Sequence, residues 1–170
     1  MGCDIHCRFE RRNPDGTWES VLNTNPTQDE LTRHKWECED ARAEGKPDPG
    51  MYKQYMGRDY RLFSLLANVR NDGSIIPIAP TNRGVPPDAS VEYLRLVEQW
   101  GVDGHSHTWV TMEEVFDQTW HRRTFKGDSY IPAGTTHLSV AERFVALCWE
   151  VLMEHRVAPQ DLRLVMFFDN

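Results

Sequence analysis

The chain has 170 residues, of which 39% are hydrophobic and 26% are charged. That length is enough for one domain with a substantial core and too short for two comfortable ones. The net charge of −7 repels a nucleic-acid backbone, so duplex DNA or RNA is not expected as the main partner. No apolar run approaches the roughly 20 residues of a membrane-spanning helix, and the acidic amino terminus does not resemble a signal peptide. We therefore expect one cytoplasmic domain over residues 1–170, without a membrane partner.

Two segments have the pattern of strands. Residues 3–10 alternate between apolar and polar side chains, which is typical of a strand with one buried face. The turn-forming sequence at 13–16 (NPDG) follows, so a hairpin is predicted at the amino terminus. Residues 162–168 are almost continuously apolar, as in a central strand covered on both faces. The simplest arrangement pairs this last strand with the first one.

About five helices are predicted between these strands. Capping boxes at Thr27/Glu30, Thr111/Glu114 and Ser139/Glu142 indicate three helix starts. The predicted helices span about 27–44, 60–69, 90–100, 111–120 and 140–155. Residues 45–58 and 121–137 are predicted surface loops or excursions, and 102–109 is a predicted connection. The expected fold is α+β: a small sheet that pairs the amino-terminal hairpin with the carboxy-terminal strand, packed by about five helices.

The first candidate for chemistry is the pair Asp4 and His6. Residues two apart on a strand point the same way, so this carboxylate and imidazole face one space. A metal ion suits such a pair, because it gains an oxygen and a nitrogen ligand on a rigid element. The alternative is an exposed polar strand face.

The segment 103–109 (DGHSHTW) holds the second candidate. If it is extended, His105 and His107 share a face, and with Asp4 and His6 they complete a ligand set suited to zinc, manganese or iron. The alternative is a turn in which the two histidines bind loop backbone.

Arginines in loop settings are the third candidate. Their planar guanidinium groups suit phosphate or carboxylate, and a glycine beside one of them lets a ligand approach the backbone closely. The alternative is pairing with surface acids, which contributes little. The expected ligand-binding residues are these arginines, their neighbours and two aromatic residues: Arg58, Tyr60, Arg70, Asn71, Arg83, Gly84 and Trp109.

Five motifs in order connect these candidates: MGCDIH at 1–6, YRLF with LANVRN at 60–71, RGVP at 83–86, DGHSHTW at 103–109 and FDN at 168–170. Together they resemble a family of short proteins from bacteriophages and bacteria whose function is not established. The resemblance spans nearly the whole chain and implies a phage or prophage origin. Phage accessory proteins of this size often counter host defence by sequestering or cleaving nucleotide signals, so this setting favours a nucleotide-like ligand by analogy.

Three functional hypotheses follow for the cytoplasm of a bacterial host, each compatible with a homo-oligomer. The first is a metal-dependent hydrolase of a small phosphorylated nucleotide, in which zinc or manganese activates water and arginines hold phosphate. In that hypothesis Asp103 or Asp169 is the general base. The second is a non-catalytic binding protein that sequesters a nucleotide immune signal. The third is a structural or interaction protein.

Overall fold

The computed structural model describes residues 2–55, 57–125 and 132–170. An antiparallel sheet of four strands lies at the centre of this described part, in the order β2-β1-β4-β3. The strands are β1 (Ile5–Arg12), β2 (Trp18–Ser20), β3 (His105–Thr111) and β4 (Leu162–Phe168). β1 and β4 pair along their length, which confirms the predicted pairing of the first and last strands.

Helices surround this sheet, and the predicted α+β class is confirmed. None of the helices in the described residues is both long enough and apolar enough to cross a membrane. The helices are α1 (Gln28–Ala43), α2 (Tyr60–Ala67), α3 (Val91–Trp100), α4 (Met112–Val115), α5 (Gln118–His121) and α6 (Glu142–His155).

The two faces of the sheet carry different cores. All seven residues of β4 are buried, as expected for a central strand. Alternate residues of β4, including Met166 and Phe168, join the main core with side chains of α2 and α6. Val165 and Phe167 point to the other face, where they pack with Tyr93 of α3. We call this second, smaller side the α3 face.

Two expectations about the middle of the chain were wrong. The segment 102–109 is not a plain connection, because most of it belongs to β3. The pairing register shifts between His105 and Thr108, and Ser106 adopts a φ of 55°. Such a bulge interrupts the alternation by which a strand is recognised. The helix expected over 111–120 consists of two single turns, because Asp117 caps a new start.

Residues 51–55 run beside the amino-terminal hairpin rather than away from it. The Lys53 backbone N–H donates to Val21 O at 2.7 Å, and Phe9 N–H donates to Lys53 O at 3.1 Å. The second half of the segment 45–58 is thereby anchored on the sheet, which brings Gln54 next to β1. Within the segment 121–137, residues 126–131 lie outside the described part of the chain.

A buried ion pair attaches the start of α3 to the sheet. The Arg163 Nε of β4 donates to Glu10 Oε2 of β1 at 2.8 Å, and both side chains are almost fully enclosed. The other Glu10 oxygen accepts from the backbone N–H of Ser90, the N-cap of α3, at 2.8 Å. Arg163 Nη1 also donates to Asp88 Oδ1 at 2.9 Å. One guanidinium thus positions the loop that leads into α3.

Gly104 precedes β3 and lies against the ring of Phe167. A Cβ at this position would lie 3.0 Å from the nearest ring carbon, which is closer than a packed core tolerates. Gly104→Ala is expected to lower the free energy of unfolding by about 1 kcal/mol through overpacking. Urea denaturation monitored by circular dichroism measures this change. An unchanged midpoint would contradict the close packing.

Candidate functional site

A polar cavity of about 640 Å³ lies between the start of β1, helix α1, residues 46–55 and 57–58, and the end of α3. We call it the β1 cavity. Its volume lies within the range typical of small-molecule sites. The polar residues of β1 that point to the α3 face form its floor. Its lining includes the side chains of Asp4, His6, Arg8, Arg33, Glu37, Asp40, Lys46, Gln54, Arg58 and Trp100.

Arg8 is a partly buried cation that forms no ion pair within the described residues, and Glu37 of α1 acts on its charge only at longer range. Its Nη1 donates to Gln54 Oε1 at 2.7 Å and to the Cys7 carbonyl at 2.9 Å, and the guanidinium lies over the ring of Tyr52. Within the described residues it forms no ion pair, and its buried Nε has no hydrogen-bond partner. Burial lowers the pKa of Arg8 from its ordinary value. A buried charge without its counterion is unfavourable.

Asp4 and Arg58 form an ion pair at the rim of the β1 cavity. Arg58 Nε donates to Asp4 Oδ1 at 2.7 Å, and Nη2 donates to the other carboxylate oxygen. The hydrogen bond from Arg58 lowers the pKa of Asp4. The guanidinium also packs on Gly2, where a Cβ would lie 3.0 Å from Nη1. Both side chains are about half exposed, so this pair can open at little cost.

His6 lies deeper on the same wall and meets the carboxylate of Asp169. Its Nε2 is 3.3 Å from Asp169 Oδ2, and the other oxygen of Asp169 accepts from the Asp4 backbone N–H at 2.8 Å. The imidazole ring packs against Trp100, with centroids 4.0 Å apart, and against Phe167 at 5.1 Å. Burial lowers the pKa of His6, although Asp169 acts in the opposite direction. His6 Nε2 makes no hydrogen bond of good geometry at this distance, so a small rotation of the ring would be needed for Asp169 to orient a neutral imidazole as a general base.

The lowered pKa of His6 makes the stability depend on pH. A histidine whose pKa is lower in the folded than in the unfolded state stabilises the fold above the unfolded value of about 6.5, and this contribution is lost as the pH falls. Burial also lowers the pKa of His107 and His155. The melting temperature is therefore expected to fall between pH 7.5 and 5.5. Scanning calorimetry should show a shallower pH dependence in His6→Gln; equal slopes in the two proteins would contradict this assignment.

The predicted residues around 83–109 form a separate structural cluster. Arg83 donates two hydrogen bonds to the carboxylate of Glu114, at 2.6 and 3.0 Å, and stacks on Trp109 with its guanidinium carbon 4.5 Å from the ring centroid. Gly84 has a φ of 77°, and its N–H donates to the His107 carbonyl at 2.9 Å. Arg83 therefore ties the proline-rich segment to β3 and α4, and none of these residues lines the β1 cavity.

The remaining predicted ligand-binding residues lie near the turn after α2. Arg70 has its guanidinium 5.7 Å from the ring centroid of Tyr60 and lies beside Cys3. The Asn71 side chain donates to Ile75 O at 2.7 Å and organises that turn. Asp103 is exposed in the turn before β3. Of the predicted ligand-binding residues, Arg58 lines the β1 cavity.

The two histidines of β3 do not face one space, which corrects the expectation that they share a face. His105 is the register partner of Phe168, while the ring of His107 lies 5.1 Å from Phe167. Consecutive residues of a strand point to opposite faces, so the bulge at Ser106 separates the two imidazoles. His107 shares the α3 face with His6, and Phe167 contacts both rings.

The four expected metal ligands are not gathered into one cluster. Among residues 2–55, 57–125 and 132–170, no three His, Cys, Asp or Glu side chains could together hold a metal ion. Asp4 is engaged with Arg58, and His105 lies on the opposite face from His107. An ion at this wall would have Asp4, His6 or Asp169 as candidate ligands and would need oxygen atoms of a ligand to complete its coordination.

Arg8 and the cavity side of α1 were not predicted as site residues. The signal for Arg8 was present, because it continues the series Asp4 and His6 by two further positions on β1. No comparable signal marks α1, whose 16 residues include no buried side chain.

Comparison with known proteins adds no template for this site. No protein-family model, no curated protein and no solved structure matches the chain. Its function must therefore be argued from the cavity itself.

Proposed function

We propose that the protein binds a small phosphorylated, nucleotide-like molecule in the β1 cavity, with Arg8 as the principal anion-binding residue. The observation that carries the proposal is a partly buried guanidinium that borders a cavity, forms no ion pair in the described residues and has a buried Nε without a hydrogen-bond partner. An incoming phosphate supplies the missing counterion and several acceptor oxygens for its N–H groups.

Neighbouring cations strengthen this choice of ligand. Arg33 of α1 and Arg58 line the same cavity, and the Asp4–Arg58 pair at its rim can exchange one carboxylate for a phosphate. The overall charge of −7 disfavours a long polyanion, whose many charges would meet the acidic surface. The cavity itself is lined by both cations and acids, so a compact molecule with its phosphate at one end suits it better than a long polyanion.

Calorimetric titration with inorganic pyrophosphate and with AMP tests the proposal. Both probes are expected to bind the unmodified protein, and Arg8→Met should weaken binding by at least about tenfold, the effect of losing one charge-assisted hydrogen bond. Arg12→Met is the matched control, because it makes the same change at the exposed end of β1. Equal affinities in the two variants, or no binding to the unmodified protein, would reject Arg8 as the anion site.

Hydrolysis of the bound ligand is the second candidate function, and the His6–Asp169 contact favours it. His6 would take a proton from water as the water oxygen bonds to phosphorus, the P–O bond to the leaving alcohol would break, and the imidazolium would return the proton to that alcohol. Asp169 would hold the imidazole in the required tautomer. Zinc or manganese assistance would require the ligand phosphate to complete the coordination shell. Without chemistry, the same cavity would sequester the ligand, which is the role that the resemblance to phage proteins favours.

Incubation with AMP or a cyclic dinucleotide, with and without added Zn²⁺ or Mn²⁺, separates the two functions. Chromatography of the ligand released on denaturation identifies sequestration if the ligand is intact. A product that accumulates over time and disappears in His6→Gln identifies hydrolysis. Product formation that persists in His6→Gln would remove His6 from the reaction.

A further inference from the structure

The α1 wall of the β1 cavity carries acidic side chains beside Arg33. Glu37 and Asp40, on one side of α1, line the cavity, and neither forms an ion pair within the described residues. Glu44, which also lines it, is 2.6 Å from the Lys46 ammonium. The sheet wall therefore offers the cation Arg8 without an ion pair, and the helix wall offers two carboxylates without ion pairs, one helical turn or more beyond Arg33.

Helix α1 contributes no buried side chain to either core. None of its residues is buried, and a helix that is polar on all sides gains little from packing on the domain. Its start is fixed by the capping box of Thr27 and Glu30. The polar gap between α1 and β1 is thus a space that a polar molecule can bridge.

We infer that the ligand carries hydrogen-bond donors as well as phosphate: a sugar phosphate or nucleotide whose phosphate binds Arg8 and whose hydroxyl groups donate to Glu37 and Asp40. This inference rests on the proposed function and specifies the substrate class of the same cavity. Carboxylates accept hydrogen bonds from ribose hydroxyls and repel phosphate. The two walls therefore select a molecule with both kinds of group and fix its orientation.

Removing the two carboxylates of α1 should affect two ligands differently. In a Glu37→Ala/Asp40→Ala variant, ribose 5-phosphate should bind at least about tenfold more weakly, because hydrogen bonds to two charged acceptors are lost. Inorganic phosphate should bind equally well or more tightly, because two repelling charges are removed. Alanine is the best helix former, so α1 is expected to persist.

Glu39→Ala is the control, since Glu39 belongs to α1 but does not line the cavity and pairs with Lys35. Its affinity for ribose 5-phosphate should stay within about twofold of the unmodified protein, as expected for a screened surface charge. Equal responses of both ligands to the double substitution, or ribose 5-phosphate binding no more tightly than phosphate, would overturn the inference. Arg8-dependent phosphate binding would then still support the proposed function. If the unmodified protein bound neither phosphate nor ribose 5-phosphate, both the proposed function and this inference would be rejected.

Discussion

Arg163→Met is expected to lower the free energy of unfolding by about 3 to 5 kcal/mol, the typical cost of leaving a buried charge without its partner. The Glu10 carboxylate is completely enclosed, so water cannot replace the lost guanidinium. The substitution also removes the hydrogen bond to Asp88 and the stacking of the guanidinium on Trp18, whose ring centroid lies 3.9 Å away. The contacts of Arg163 with residue 88 would be lost, and the hydrogen bond from Ser90 N–H to Glu10 would then be the remaining link of Glu10 to the start of α3.

Chemical denaturation of Arg163→Met and Arg12→Met measures this effect. Arg12 forms a longer and more exposed contact with Asp161, at 4.0 Å, so its loss should cost less than about 1 kcal/mol. A double variant, Glu10→Met/Arg163→Met, should recover part of the stability, because no uncompensated charge remains. A loss below about 1 kcal/mol in Arg163→Met would show that the buried pair does not hold α3 in place.

Local sequence patterns were sufficient to predict the elements that meet in the sheet. The alternation of residues 3–10 and the apolar run at 162–168 correspond to β1 and β4, and their pairing is confirmed. The capping boxes at Thr27 and Thr111 are present as predicted, because a cap depends on a few neighbouring residues. The box at Ser139 is not formed: α6 begins at Glu142 without a side-chain cap.

The site was only partly predictable, because its geometry depends on distant parts of the chain. Asp169 and His6 were both predicted as functional residues, and the pairing of β1 with β4 places them together. The bulge at Ser106 was not visible, so the separation of His105 and His107 could not be anticipated. The surroundings of Arg8 also depend on tertiary structure, since its hydrogen-bond partner Gln54 lies 46 residues away. The sequence does not indicate that Arg8 forms no ion pair.

Arg8→Met is expected to raise the free energy of unfolding by about 1 kcal/mol while it weakens phosphate binding, the trade-off typical of a functional residue. Arg8 and Arg163 lie on adjacent central strands and point to the same α3 face, since Arg8 is opposite Val165 and Glu10 is opposite Arg163. Arg163 meets two carboxylates. Arg8 meets an amide and a carbonyl, which compensate a buried cation less well than a carboxylate.

The same substitution should therefore change stability in opposite directions at these two positions. Denaturation of Arg8→Met and Arg163→Met in phosphate-free buffer compares the two variants directly. Added pyrophosphate should stabilise the unmodified protein but not Arg8→Met, because only a ligand that binds the folded state shifts the unfolding equilibrium. A loss of more than about 2 kcal/mol in Arg8→Met would show that Arg8 is a structural residue like Arg163. A gain in stability together with a lost response to pyrophosphate means that the fold retains an unfavourable buried charge because a bound anion neutralises it.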